Sequence, residues 1–163
     1  MLRQNINPFH VALAVIAFGL AFGALQVIAA PLPLAGTWLT ADGSSKVLFE
    51  PCAAAICGKI VWISDPIDAE TGGPVVDKHN PNAALRSRPL VGITLLFGLK
   101  PGGDPNQWEG SVYNPEDGGV YGVTITLNDA THLELKGCLI AGLLCQGETW
   151  TKTADLGAGA ASK

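Results

Sequence analysis

Between Gln107 and Cys138 the chain reads QWEGSVYNPEDGGVYGVTITLNDATHLELKGC, three runs of alternating character separated by turn-forming residues. In Val120–Leu127, Tyr121, Val123, Ile125 and Leu127 fall on one face. In His132–Cys138, Leu133 and Leu135 oppose His132, Glu134 and Lys136. A period of two is the signature of a strand with one face covered, since successive side chains point to opposite sides. Gln107–Asn114 precedes them as a third strand. Pro115–Gly119 and Asn128-Asp129 are the turns, rich in the Pro, Gly, Asn and Asp that tight turns require.

The same grammar extends towards both ends of the chain. Gly36–Thr40 and Lys46–Glu50 are two strands around Ala41-Asp42-Gly43, where Asp-Gly signals a tight hairpin. Lys59–Ser64 is the next strand, with Ile60 and Trp62 expected on one face and Val61 and Ile63 on the other. A long connection runs from Asp65 to Asn80. Asn80-Pro81 opens one short helix, Pro81–Ser87, because Asn caps well and Pro suits the first helical position. Arg88-Pro89 ends it, as the residue before proline avoids the helical region. Leu90–Phe97 is apolar on both faces, which predicts a strand covered on both sides. Pro101–Asp104 is a turn, Cys145–Thr153 is an eighth strand, and residues 155–163 form a flexible tail.

Eight consecutive short strands predict an all-β fold: a single antiparallel up-and-down β-barrel with one short helix. Most of these runs are shorter than the roughly 9–11 residues that a membrane-spanning strand needs. Their polar faces carry Glu109, Glu134 and Lys136. An outer-membrane barrel is therefore excluded.

The N-terminus supplies an address. Arg3 is the only charged residue before Asp42, and Val11–Leu25 is uninterrupted Val, Ala, Leu, Ile, Phe and Gly. Ala29, Ala30 and Pro31 follow. A basic start, an apolar run and a small-residue exit are the parts of a secretory signal peptide. Cleavage after Ala29 leaves a barrel domain at 30–154 in the periplasm or medium. An uncleaved anchor is the alternative, since Val11–Ala30 is about long enough to span a bilayer. After cleavage no stable membrane insertion is expected.

Composition narrows the function. With 10 Lys+Arg against 14 Asp+Glu the net charge is −4, and no basic cluster exists to hold phosphates, so nucleic acid is not a partner. With 48% hydrophobic and 15% charged residues the chain has enough apolar surface to fold. Cys52, Cys57, Cys138 and Cys145 all lie beyond the signal segment, an even count that reads as two disulfides in an oxidising compartment. Of the three connectivities, 52–57 with 138–145 is expected, because each pair closes the ends of a hairpin. Zinc is disfavoured, since the knuckle spacing is incomplete.

Gly36-Thr37-Trp38 resembles the Gly-x-Trp signature of lipocalins. That resemblance implies a basic residue of the last strand over the tryptophan, and Lys152 is the match. The wider pattern is more specific. It takes in Glu50-Pro51-Cys52, Cys57-Gly58-Lys59-Ile60-Val61-Trp62 and Leu85-Arg86-Ser87-Arg88-Pro89-Leu90-Val91-Gly92. Further on come Tyr113-Asn114-Pro115-Glu116-Asp117-Gly118 and Thr149-Trp150-Thr151. From about Ala35 to Lys152 it is similar to a bacterial exported family, domain of unknown function 2147. The resemblance implies a lipocalin-like barrel and carries no catalytic residue.

Aromatic walls with a few polar groups are what small-molecule sites use. Trp62, Trp108, Tyr113 and Tyr121 are the candidate lining. Arg88, where the chain enters Leu90–Phe97, is the candidate for an anionic headgroup; the structural alternative pairs Arg86 or Arg88 with Asp77 or Asp65. Asp77, His79 and Arg88 are the only group with catalytic potential, but no activated nucleophile accompanies them. The spacing of Asp65, Asp68, Glu70 and Asp77 misses a calcium loop. The expectation is a non-catalytic protein, without metal or cofactor, that holds a small amphipathic or hydrophobic ligand. The competing reading is an envelope interaction protein with a filled barrel and an unknown protein partner. Val112, Gly110 and Gly122 are the small residues expected to leave space inside.

Overall fold

The computed structural model describes residues 32–139 and 144–154. The signal segment, the 140–143 turn and the 155–163 tail lie outside them. The described residues form eight strands: β1 Gly36–Leu39, β2 Ser45–Cys52, β3 Ala55–Ile63, β4 Thr94–Pro101, β5 Gln107–Tyr113, β6 Val120–Leu127, β7 His132–Leu139 and β8 Leu144–Thr153. Each pairs antiparallel with its sequence neighbour. β1 closes on β8 through Thr37↔Thr153, Trp38↔Lys152 and Leu39↔Thr151. Among the described residues no helix is long and apolar enough to cross a membrane.

Up-and-down order puts the β1–β2, β3–β4, β5–β6 and β7–β8 connections at one end, and the other three at the opposite end. The inward residues near that second end fill the barrel. Trp38, Val47, Phe49, Leu96, Leu99, Ile125 and Leu133 are essentially inaccessible. Phe49 meets Trp150 with ring centroids 6.3 Å apart. The Trp38 indole N–H donates to Leu34 O at 2.9 Å, so its one polar atom is satisfied where it is buried. Lys152 Nζ lies 5.2 Å from the Trp38 ring centre, a cation–π contact worth about 0.5–2 kcal/mol.

Three details differ from the sequence expectation, and each has a local cause. First, Val47 faces Ile60 whereas Lys46 faces Trp62, so Val61 is an extra residue on β3. Such a bulge shifts the side-chain alternation by one. Ile60 stays inside and Ile63 joins it. Trp62 turns outward, where Lys46 Nζ sits 5.1 Å from its ring centre. Second, residues 90–93 are not strand, and β4 contains its own bulge between Phe97 and Lys100. Gly98 adopts φ 68°, which only glycine takes without strain, and this lets Leu96 and Leu99 both point inward. Phe97 is left 36% exposed, so this strand is not covered on both sides.

Third, the expected helix contracts to one 3₁₀ turn, Ala83–Leu85, capped by Asn82 rather than Asn80. The Asn80 side chain is engaged elsewhere. It donates to Asp77 Oδ2 at 2.8 Å and to the Tyr113 hydroxyl at 3.2 Å, while its Oδ1 accepts from the Asn82 N–H at 2.9 Å.

Both cysteine hairpins form as hairpins. Cys52 and Cys57 are bonded, with Cα atoms 5.7 Å apart. Their turn holds Ala53 at φ 50°, a left-handed conformation. The register sets Cys138 directly opposite Cys145, and Cys145 is in a disulfide. The Cys138 side chain lies outside the described residues.

Candidate functional site

The turns at the first end surround an open-mouthed cavity of about 1020 Å³. Its floor and walls are apolar: Ile60 and Ile63 from β3, Leu95 from β4, Val112 from β5, Leu135 from β7 and Trp150 from β8, with Leu90 from the long connection. The β3 bulge is what brings Ile63 into this set. Trp150, 2% exposed, divides the cavity from the packed half below.

The polar lining is one-sided. Asp42, Asp65, Glu116 and Asp117 stand on the turns at the rim, and Glu148 stands on the wall; among the described residues no Lys or Arg lines the cavity. Glu148 faces Leu135 in the β7–β8 register, two residues from buried Trp150, so it shares their inward face. The Trp150 indole N–H donates to Glu148 Oε1 at 2.6 Å. At the rim the Asp42 carboxyl lies below the usual range because Thr40 Oγ1 and the Ser44 N–H donate to it. The Tyr121 hydroxyl donates to Asp117 Oδ2 at 2.7 Å. That bond lowers the Asp117 carboxyl and raises the Tyr121 phenol.

Behind the rim, the long connection is tied to the barrel by a buried polar cluster. Asp77 is fully buried. Its Oδ1 accepts from the Tyr113 hydroxyl at 2.5 Å, and its Oδ2 accepts from Asn80 Nδ2 at 2.8 Å, Arg88 Nη2 at 2.9 Å and Arg88 Nε at 3.0 Å. Burial disfavours the charged carboxylate, but the donors from Tyr113, Asn80 and Arg88 together outweigh it and hold Asp77 below the ordinary range. Burial, then the bond to Asp77, pushes the Tyr113 phenol up. Arg86 Nε donates to Asn80 O at 2.8 Å. Gly118, at φ 73° in the β5–β6 turn, packs against the His79 carbonyl so closely that a Cβ there would run into it.

Of the five residues singled out in the sequence, Tyr113 and Tyr121 line the cavity. The other three do not. Trp62 is on the outer face because of the bulge. Trp108 is buried opposite Ile125 in the packed half. Arg88 is paired with Asp77, so the structural alternative describes it correctly. Of the small residues, Val112 lines the cavity, but the space beside Gly110 is taken by Leu99, and Gly122 lies opposite Ser111 on the outer face. His132 is exposed beside Asp129. The catalytic trio is dispersed in use: Asp77 and Arg88 satisfy each other, and His79 is exposed. Among the described residues no three His, Cys, Asp or Glu converge as metal ligands would.

Glu148 is the residue the sequence reading missed. The signal was present: once Trp150 is placed inside, period two places Glu148 inside as well.

Comparison with known proteins agrees with this architecture. The family described as an uncharacterized protein conserved in bacteria (DUF2147) matches residues 36–152. The solved structure of protein HP1028 from Helicobacter pylori, described as belonging to the lipocalin family, is similar with a TM-score of 0.64 and 26% sequence identity. The match covers 75% of this chain and 84% of that one. No curated protein matches the chain.

Proposed function

The chain belongs to the bacterial family DUF2147, and from that premise we propose that it is an exported, non-catalytic binding protein for a small molecule with an apolar body. The observation that carries this reading is the half-filled barrel. One half is packed solid, whereas the other keeps an apolar-floored cavity of about 1020 Å³, at the upper end of the volumes typical of small-molecule sites. Export is supported by the signal-like N-terminus and by the Cys52–Cys57 bond, which an oxidising compartment maintains. A non-catalytic role is supported by the mutual pairing of Asp77 and Arg88 away from the cavity.

The test uses the full chain, expressed and recovered from the periplasm, with the uncharged fluorophore N-phenyl-1-naphthylamine. Saturable fluorescence enhancement is expected. Val112→Trp fills the cavity between Val112 and Leu135 and is expected to weaken uptake at least about tenfold, since the apolar contact it removes is the main driving force. Far-UV circular dichroism confirms that the variant is folded. No uptake by the native protein, or equal uptake by the folded variant, refutes the reading.

A further inference from the structure

Resting on that reading, we propose that the ligand is a cationic amphiphile, with its apolar body on Ile60, Leu135 and Trp150 and its positive group against Glu148. The argument begins with the position of this carboxylate. Glu148 shares the inward face of β8 with Trp150, and only Oε1 is engaged, by the Trp150 indole at 2.6 Å. Among the described residues no cation pairs with it and its second oxygen accepts no hydrogen bond. A ligand that covered Glu148 without neutralising it would strand a desolvated charge, which is costly. A ligand bearing an ammonium or amidinium group removes that cost. The half-buried phenol of Tyr121 adds a surface that suits a cation.

The surroundings carry the same sign. The basic side chains nearest the lining in sequence are turned elsewhere: Arg88 to Asp77, Arg86 to Asn80 O, Lys46 to the outer face of Trp62, Lys59 to Glu50 and Lys152 to Trp38, while Lys136 falls on the outer face between Leu135 and Gly137. A concave wall of low polarity concentrates the field of the charges lining it. Here that field attracts cations and repels an anionic headgroup, the reverse of what Arg88 suggested from sequence.

The experiment displaces N-phenyl-1-naphthylamine from the full chain with decyltrimethylammonium or decyl sulfate, both below their micelle concentrations. The tails are identical, so a difference reports the headgroup. The cation is expected to displace the fluorophore at a concentration at least about tenfold lower, with the gap narrowing as salt rises. Glu148→Gln keeps an oxygen to accept from Trp150. Its preference for the cation over decyl sulfate is expected to fall about three- to tenfold. Equal displacement by both tails, or unchanged preference in Glu148→Gln, overturns the proposal while leaving the binding reading intact. Loss of fluorophore binding in Glu148→Gln assigns the residue to the packing of Trp150 and also overturns it. Failure of the native protein to bind the fluorophore overturns both.

Discussion

Replacing Tyr113 by Phe removes one oxygen and leaves the ring in place, which isolates a single hydrogen bond of the buried cluster. Among the described residues the Tyr113 hydroxyl is the only donor to Asp77 Oδ1, at 2.5 Å, because Asn80 and Arg88 both address Oδ2. The variant therefore leaves a carboxylate oxygen that is fully buried and unsatisfied. A hydrogen bond to a charged group contributes about 1.5–3 kcal/mol, and an orphaned buried acceptor puts the cost near the top of that range, at about 2–3 kcal/mol. Urea denaturation at pH 7, followed by tryptophan fluorescence, measures it directly.

The pH dependence gives a second, independent check. The folded Asp77 carboxyl is held below its unfolded value of about 3.9. Its stabilisation is therefore fully present above the unfolded value and is lost as pH falls through that value towards the lower, folded one. Tyr113→Phe raises the folded value, so the gap between variant and native protein should shrink as pH falls below the ordinary carboxylate range. The Arg88 side chain is 37% exposed, so solvent screens its share and Tyr113 and Asn80 carry most of the effect. A loss below about 0.5 kcal/mol at pH 7 would refute the reasoning, since that is within the range of a neutral surface change. So would a gap that does not narrow in acid.

Three other perturbations probe the framework. Gly58→Ala places a Cβ 2.9 Å from Val47 Cγ1 and 3.0 Å from Leu96 Cδ1; overpacking there should cost about 1–3 kcal/mol in a urea melt. Ala53→Gly removes the left-handed strain at φ 50° and should raise stability by up to about 1 kcal/mol, the strain relieved exceeding the extra chain entropy. The Asp129 carboxyl, which accepts from Thr131 Oγ1, the Thr131 N–H and His132, is lowered to about 2, and a carbon-detected NMR titration should find its midpoint there rather than near the ordinary value.

Strand number and order were legible because each strand alternates and each turn has its own residue chemistry. The order in space then follows from closing a meander into a barrel. The choice of face was legible only where the register is unbroken. On β6 and β7, Val123, Ile125, Leu133 and Leu135 point inward as period two requires. On β3 and β4, the extra residues at Val61 and Gly98 reverse the count partway along, and nothing in Lys59–Ser64 or Leu90–Phe97 announces them. Trp62 was misplaced for this reason. Arg88 was misplaced for a different one: Asp77 is 11 residues away, and only the folded connection brings the two together. Glu148 was overlooked because a carboxylate on a strand suggests the solvent face. The rule fails when the inside of the barrel is itself open to water.

The division of the barrel at Trp150 separates two kinds of selective constraint. Below it, a change of one methylene alters a close-packed interior and is felt by the whole fold. Above it, side chains such as Gln146 border open space, so substitutions there cost little folding energy. The fold can therefore be retained while parts of the mouth are rewritten, and a binding preference can change one residue at a time.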